Sequence, residues 1–210
     1  MKNIKVLKTG IDVSKIKEQL DQYPDDWYIQ RKGADTLLEK GYADIDVGNL
    51  QLIMGSVANK DDFVGDSELS KPTPAYQRHT EILKIIKEEF PEREVHRCGF
   101  LSLPIDGYVG AHIDEGTYYL TRDRYHISIA GQYQYFVGNE TAIVDPGTLF
   151  WFNNKMPHGA VNLGEETRIT FVFDLPHGNS WISYIKKSKL SFNETCILSS
   201  ALYFKNYKGL

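Results

Sequence analysis

Three side chains in the second half of the chain are of the types and spacing that could hold a metal ion. His112 and Asp114 stand two positions apart, and His158 follows much further along the sequence. A lone His-x-Asp pair is common at polar strand ends, but the distant second histidine makes the pattern more specific. Two histidines and one carboxylate on a β framework form the facial triad of non-heme Fe(II) oxygenases, which leaves coordination positions open. The residues predict an Fe(II) site with room for a cosubstrate and dioxygen.

Arg168 is the second feature that could do chemistry, because it opens an otherwise apolar run that reads as a core strand. An arginine buried there without a partner would be costly. A bidentate anion would remove that cost. Thr170 lies two positions on and shares the strand face with Arg168, so its hydroxyl could add a donor. The pair predicts an anion site in which a dicarboxylate cosubstrate could be clamped.

Arg124 and His126 form a third polar pair, between the two segments that carry the metal ligands. One interpretation is a turn arginine followed by a core histidine. However, the two residues share a strand face with Ser128, while the opposite face carries large apolar side chains. Their position and shared face favour a role in the same cavity.

The elements that must position these side chains begin near residue 94, where short β-branched and aromatic runs alternate with Gly, Pro and Asn. Many short strands at such spacing indicate a sandwich or barrel. Polar residues occupy one face of several runs, so a layer packed by its apolar face would point them into a central cavity. The predicted strands span residues 95–103, 108–113, 124–130, 132–137, 141–144, 148–152, 159–162 and 168–174.

The flanking segments predict helices and loops around one domain that spans residues 1–210. The expected parts are a helical and loop segment at 1–93, a jelly-roll core at 94–175 and a C-terminal helical extension at 176–210. Finer features are an amphipathic helix at 11–21, a strand at 49–57, a helix at 75–90 and another at 180–189. The polar stretch 58–74 is long for a compact domain, which makes it a candidate lid over the substrate.

Composition narrows the class of protein. The chain has 210 residues, of which 41% are hydrophobic and 25% charged, and its net charge of -4 with no long basic run argues against nucleic-acid binding. No apolar segment is long enough to span a membrane, and the N-terminus lacks the apolar core of a signal peptide. Only Cys98 and Cys196 are present, so a reducing compartment is compatible. We therefore expect a cytoplasmic protein that binds neither nucleic acid nor membrane.

Taken in order, these motifs resemble the aspartyl/asparaginyl β-hydroxylase domain of the 2-oxoglutarate- and Fe(II)-dependent dioxygenase superfamily. The resemblance covers about residues 94–175. The matching pieces are Leu103-Pro-Ile-Asp-Gly-Tyr-Val-Gly-Ala-His112, Arg124-Tyr-His126, Asp145-Pro-Gly147, His158 and Arg168.

The resemblance implies a mainly β fold with flanking helices, the double-stranded β-helix or cupin-like jelly roll. It implies that His112 and His158 bind iron and that Arg168 binds the distal carboxylate of 2-oxoglutarate. Arg124 and His126 would contact the carboxylate of 2-oxoglutarate on the metal side. Thr170 fits the Arg-x-Ser/Thr pattern of the wider superfamily.

One position departs from the resembled family, because its best-known animal members lack a carboxylate ligand and Asp114 restores the full triad. The leading hypothesis is a hydroxylase acting on the β-carbon of an aspartyl or asparaginyl residue in a protein or peptide. Two alternatives remain: a hydroxylase of a free amino acid or other small metabolite, and a non-enzymatic cupin-like module that binds a metal or small acid. The presence of Arg168 together with Arg124 and His126 favours the oxygenase, since a sensor would not need both anion contacts.

Overall fold

The structure, a computed structural model, describes residues 2–27, 48–55, 70–114 and 117–176. Over these residues the chain is mostly strand, with two α-helices and three single helical turns. The strands are β1 Ile4–Lys8, β2 Gly48–Gly55, β3 Ser70–Pro72, β4 Cys98–Leu103, β5 Tyr108–His112, β6 Arg122–Ala130, β7 Tyr133–Val137, β8 Glu140–Val144, β9 Leu149–Phe152, β10 His158–Val161 and β11 Arg168–Pro176. The helices are α1 Ser14–Gln22 and α2 Thr80–Glu89, and the turns are Pro24–Trp27, Pro74–Gln77 and Thr117–Leu120.

The strands form two antiparallel sheets that face each other. The seven-stranded sheet has the order β1-β9-β6-β11-β4-β2-β3, and the four-stranded sheet has the order β5-β10-β7-β8. The last eight strands divide equally between them, with β4, β6, β9 and β11 in the larger sheet and β5, β7, β8 and β10 in the smaller. Two facing antiparallel sheets connected in this way are a jelly roll, and the predicted double-stranded β-helix is confirmed.

The larger sheet has two buried faces with different chemistry. Its outer face packs on α1 and α2 through a cluster that includes Ile16, Ile86, Ile127 and Phe171. Alternate residues of the same strands point to the inner face, which looks toward the smaller sheet. Tyr133, Tyr135 and Val137 of the smaller sheet, with Ile4, Phe150 and Phe152 of the larger, form the apolar cluster between the sheets.

The inner face also carries the polar residues singled out from the sequence. Register pairs Thr170 of β11 with Ser128 of β6, and it pairs Asp174 with Arg124. The predicted alternation of these two strands therefore holds, with one irregularity in their pairing between Ile169 and Thr170.

Two strands of the larger sheet lie where no strand was predicted. Ser70–Pro72 falls inside the segment expected to be a loop, and it pairs with Ile53–Gly55 of β2. Its residues are polar or exposed, so its sequence carried no hydrophobic alternation. Ile4–Lys8 pairs with β9 as the opposite edge strand, and only Ile4 is buried. Residues 1–93 therefore contain two strands, β1 and β3, in addition to the elements that were predicted there.

Several expectations concern residues that the structure does not describe. The candidate lid falls there from residue 58 to residue 69, and so does the C-terminal extension beyond residue 176 with its helix at 180–189. The division of the chain into one domain with three parts stays a prediction. Within the described ranges, no helix is long and apolar enough to cross a membrane.

Candidate metal centre and anion pocket

Sheet pairing brings the three candidate metal ligands together. His112 ends β5, His158 begins β10, and the two are cross-strand partners. Their ring centres lie 4.3 Å apart. Asp114 follows β5 by two residues, and the candidate ligand atoms of the three side chains all lie within 4.8 Å of one another. The convergence expected from the sequence is therefore present in the fold.

Both histidines are oriented in the same way by their own backbone. Nδ1 of His112 lies 2.8 Å from the carbonyl oxygen of Gly110, and Nδ1 of His158 lies 2.9 Å from that of Met156. A carbonyl only accepts, so each Nδ1 carries the proton and each Nε2 keeps its lone pair. This arrangement is common for metal-binding histidines, because the second hydrogen bond fixes the tautomer and the ring orientation.

The protonation states also suit a metal. Burial lowers the pKa of His158 to about 4, although the nearby Asp114 carboxylate opposes the shift. His158 is therefore neutral near pH 7. Burial alone would raise the pKa of Asp114, but the charge of Arg124, the charge that His158 carries once acid protonates it, and a bond from Asn154 outweigh it, so this pKa is lowered. A neutral imidazole and an ionised carboxylate are the forms that bind metal ions.

Asp114 is held by two side chains from other strands and loops. Nη1 of Arg124 donates to Oδ2 of Asp114 at 3.0 Å, and Nδ2 of Asn154 donates to the same oxygen at 3.1 Å. The backbone N–H of Asp114 also donates to the carbonyl of Asn154 at 3.2 Å. The carboxylate therefore has a fixed place beside the histidines.

Arg124 lies between two carboxylates. Its Nε and Nη2 donate to the two carboxylate oxygens of Asp174 at 2.7 and 2.9 Å, while Nη1 reaches Asp114. Its guanidinium also lies 4.6 Å from the ring centre of Tyr119. The contact between Arg124 and 2-oxoglutarate stays a prediction, and these bonds favour a role in orienting Asp114.

Arg168 is buried on the inner face. It is only 2% exposed, and its guanidinium carbon lies 4.3 Å from the ring centre of Tyr133. Its Nε, the hydroxyl of Tyr133 and the hydroxyl of Ser128 are buried without a hydrogen-bond partner among the residues that the structure describes. A guanidinium and two hydroxyls in such a setting fit a carboxylate. Thr170 is less available, because its hydroxyl donates to the carbonyl of Ile127 at 3.2 Å.

His126 lies on the same inner face, within an aromatic enclosure. Its ring centre is 5.3 Å from that of Tyr135, 5.2 Å from that of Phe150 and 5.0 Å from that of Phe152, all in edge-on geometry. Burial, followed by the charge of Arg168, lowers the pKa of His126 well below its usual value. Its Nδ1 has no hydrogen-bond partner in the described part of the chain. A neutral His126 thus offers one unused polar atom to the cavity.

Aromatic side chains also wall the metal site. The ring of Phe152 lies 4.8 Å from that of His158, and the ring of Tyr135 lies 6.4 Å from it. Of the adjacent aromatic residues Trp151 and Phe152, one forms this wall. Phe152 fills it, whereas Trp151 points to the other face and its indole N–H donates to Asp123 at 3.3 Å.

Sequence reasoning missed Asn154, Asp174 and Tyr133. Asp174 could have been found, because a period of two from Arg168 through Thr170 places it on the same face. Tyr133 lies in a predicted strand that contains other aromatic residues, so the sequence indicated a core residue. Asn154 lies between strands with no pattern around it, and only the fold brings it to Asp114.

The fold and the cluster of His112, Asp114 and His158 define a double-stranded β-helix protein with a candidate metal centre in its cavity. The sequence model of the aspartyl/asparaginyl β-hydroxylase family matches residues 57–178, which is more than half of the chain. The chain belongs to this family, as the resemblance predicted.

Solved structures are similar in fold only. An oxidoreductase of the 2OG-Fe(II) oxygenase family from Burkholderia pseudomallei is 12% identical with a TM-score of 0.47, and the match covers 81% of this chain and 94% of that one. A predicted oxalate decarboxylase from Thermotoga maritima is 16% identical with a TM-score of 0.34, over 43% of this chain and 73% of that one. A cupin 2 conserved barrel domain protein from Salinispora arenicola is 11% identical with a TM-score of 0.32, and the match covers 39% of this chain and 63% of that one. No curated protein matches the chain.

Proposed function

We propose that the protein is a hydroxylase that depends on Fe(II) and 2-oxoglutarate. The observation that carries the proposal is the position of the His112, Asp114 and His158 cluster on the same inner face as a buried arginine whose Nε lacks a partner among the described residues. Membership of the aspartyl/asparaginyl β-hydroxylase family supports the same reaction class.

The donor set fits Fe(II). His112 and His158 each present Nε2, and Asp114 presents an ionised carboxylate, so the ligands are of mixed nitrogen and oxygen type. Three protein ligands leave positions for a cosubstrate and dioxygen, which is how non-heme Fe(II) oxygenases are built. His112, Asp114 and His158 are the proposed iron ligands and the centre of catalysis.

The pocket around Arg168 fits the distal carboxylate of 2-oxoglutarate. Its guanidinium can form a bidentate bond with a carboxylate, and the hydroxyls of Tyr133 and Ser128 are further unused donors. His126 stands between this pocket and the metal site on the same sheet face, where its unused ring nitrogen could meet the other end of the cosubstrate. Thr170 supports the pocket through its bond to the backbone of Ile127.

When bound together, Fe(II), 2-oxoglutarate and dioxygen supply the chemistry, in which oxidation of 2-oxoglutarate to succinate and carbon dioxide is coupled to hydroxylation of a C–H bond. The protein binds and orients these groups and excludes water. Phe152, Tyr135 and Phe150 line the cavity with aromatic rings, and these exclude water from the volume between the sheets. The ion pair between Arg124 and Asp174 holds charged groups in place beside Asp114.

For the substrate, the family suggests the β-carbon of an aspartyl- or asparaginyl-type residue. A peptide is the leading candidate, and a free amino acid or related small metabolite is the alternative. In either case the hydroxylated carbon would lie next to a carboxylate or amide. A cytoplasmic location remains the expectation for the protein that carries out this reaction.

The test is succinate formation by the purified protein supplied with Fe(II), 2-oxoglutarate and air, together with a mass-spectrometric search for products gaining one oxygen among peptides and amino acids. His112→Ala and Arg168→Ala should abolish or strongly reduce succinate formation. Arg78→Met is a matched control, because Arg78 pairs with Asp26 far from the cavity. A wild-type protein that binds Fe(II) but forms no succinate with any candidate would instead support the non-enzymatic binding module.

A further inference from the structure

We propose that Arg124 and Asn154 are positioning residues that hold Asp114 as the third metal ligand, and that Arg124 therefore acts on the metal site and not on the cosubstrate. This inference rests on the proposed function, since it assumes that a metal binds between His112, Asp114 and His158. It differs from the role that the family resemblance suggested for Arg124.

The two donors meet at one atom. Both Arg124 and Asn154 donate to Oδ2 of Asp114, and this oxygen lies 3.9 Å from Nε2 of His158. Among the residues that the structure describes, none donates a hydrogen bond to Oδ1 of Asp114. Two bonds from different directions fix both the position and the rotation of a carboxylate, so Asp114 is restrained as strictly as the two histidines are by their backbone carbonyls.

The direction of the bond from Asn154 is set by Lys155. Nζ of Lys155 donates to Oδ1 of Asn154 at 2.6 Å. An ammonium group can only donate, so the amide oxygen must face it. The amide nitrogen is then the group that points to Asp114, where it donates. Lys155 also donates to the carbonyl of Arg122 at 2.6 Å, which anchors this short chain of bonds to β6.

The direction of Arg124 is set by Asp174. The side chain of Asp174 is 1% exposed, and its two oxygens accept from Nε and Nη2 of Arg124 in the planar fork that a guanidinium favours. This bidentate pair leaves Nη1 directed at Asp114. Cross-strand pairing of Arg124 with Asp174 fixes both backbones, so the arrangement is built into the sheet.

Charge supports the same assignment. Arg124 is one cation between two carboxylates, the buried Asp174 and the partly buried Asp114, and all three of its side-chain nitrogens already donate to them. A cosubstrate carboxylate at Arg124 would be a third anion beside these two, and like charges at this distance repel. Arg168, whose Nε is unpartnered among the described residues, is the better anion site.

The experiment uses Co(II) as a redox-stable probe, with its affinity measured by visible spectroscopy and calorimetry. Asn154→Ala should weaken Co(II) binding by about 10–100-fold, the usual effect of removing a residue that orients a ligand. The same substitution in an Asp114→Ala background should cause no further loss, because the residue acts through Asp114. Equal losses in both backgrounds, or an unchanged affinity in the single variant, would overturn the proposal.

Arg124→Lys separates the two possible roles of Arg124. Lysine keeps the charge but lacks the fork, so it cannot hold both carboxylates. Co(II) affinity should fall, while the affinity of the Co(II)-saturated variant for 2-oxoglutarate should stay within about threefold of wild type. The reverse result, with 2-oxoglutarate affinity lost and Co(II) affinity kept, would make Arg124 a cosubstrate ligand.

Two controls make the outcomes distinct. Arg78→Met also breaks a bidentate arginine–aspartate pair, with Asp26, but it touches no candidate ligand and should leave Co(II) affinity unchanged. A wild-type protein that binds no Co(II) would contradict the proposed function itself. Tight binding by wild type with equal binding by Asn154→Ala would contradict only the role of the positioning residues.

Discussion

Both faces of the seven-stranded sheet are packed, but the outer face is an apolar cluster, whereas the inner face combines apolar rings with charged and polar side chains. On the outer face, Phe171 and Ile127 pack with helices α1 and α2 in a continuous apolar cluster. On the inner face, the same strands present Arg168, Arg124 and His126 to the cavity. Residues next to each other in sequence therefore serve the two faces in turn.

The outer face stabilises the fold, whereas the inner face holds polar atoms that a ligand could bind. Outer-face side chains gain contacts and lose no polar bonds, so their burial is favourable throughout. The inner face buries an arginine, a histidine and hydroxyls with unused polar atoms, which is unfavourable until a partner arrives. The outer face thus offsets the cost of the inner one.

The largest expected effect is on the outer face. Phe171→Ala removes a fully buried ring that contacts Phe100 at 4.7 Å between ring centres, so it should lower the free energy of unfolding by about 3–5 kcal/mol. Denaturant titration measures this loss. Co(II) affinity of the folded fraction should remain near wild type, and a large fall there would show that the two faces are not independent.

Arg168→Met should have the opposite profile. Removing the arginine should weaken 2-oxoglutarate binding by roughly 2–5 kcal/mol, as expected when one partner of a buried charge pair is lost. Without ligand, the variant should be at least as stable as wild type, because an unpaired buried donor has been replaced by an apolar chain. Calorimetry and denaturation measure the two quantities, and clear destabilisation of the ligand-free variant would mean that Arg168 has a structural role.

Acid should act mainly through the inner face. His158, with a pKa lowered to about 4, and His126, lowered well below its usual value, are neutral in the fold but bind protons when unfolded. Stability is therefore full above about pH 6.5 and falls as pH drops from there toward the folded-state pKa, by up to about 1.4 kcal/mol per pH unit for each histidine.

The measurement is the unfolding free energy of the metal-free protein between pH 7 and about pH 5. His126→Phe should reduce the slope by about one proton, because it removes one of these titrating groups. An unchanged slope would mean that His126 is protonated in the folded protein.

The smallest effect comes from two glycines that share a backbone conformation. Gly131 and Gly10 have φ values of 71° and 70°, so alanine at either should cost about 1–2 kcal/mol from the left-handed backbone alone. A Cβ at Gly131 would also lie 2.8 Å from Cα of Arg168, whereas at Gly10 nothing described lies within 4 Å. Only Gly131→Ala should therefore weaken 2-oxoglutarate binding as well. Equal effects on binding would show that the close approach does not position Arg168.

The strands could be predicted from the sequence because side-chain alternation is a short-range rule, whereas the binding of a metal by His112, Asp114 and His158 stays a prediction. Alternation along β6 and β11 is a property of each strand alone, and His112, Asp114 and His158 lie on or beside strands that this alternation reveals. Edge strands such as Ser70–Pro72 were not predicted, because an edge strand with exposed residues needs no apolar pattern in its sequence. The hydrogen-bond partners of Arg124 were not predicted either, because its bonds to Asp174 and Asp114 depend on strand register and not on local sequence spacing.

The two histidines that we propose as metal ligands differ in their exposure to solvent. His112 is exposed at the end of β5, whereas His158 is 3% exposed beneath Phe152. A metal ion would therefore arrive and depart on the His112 side, and a chelator would capture it there first. Substitutions beside His112 should therefore change the rates of metal binding and release more than they change the metal affinity.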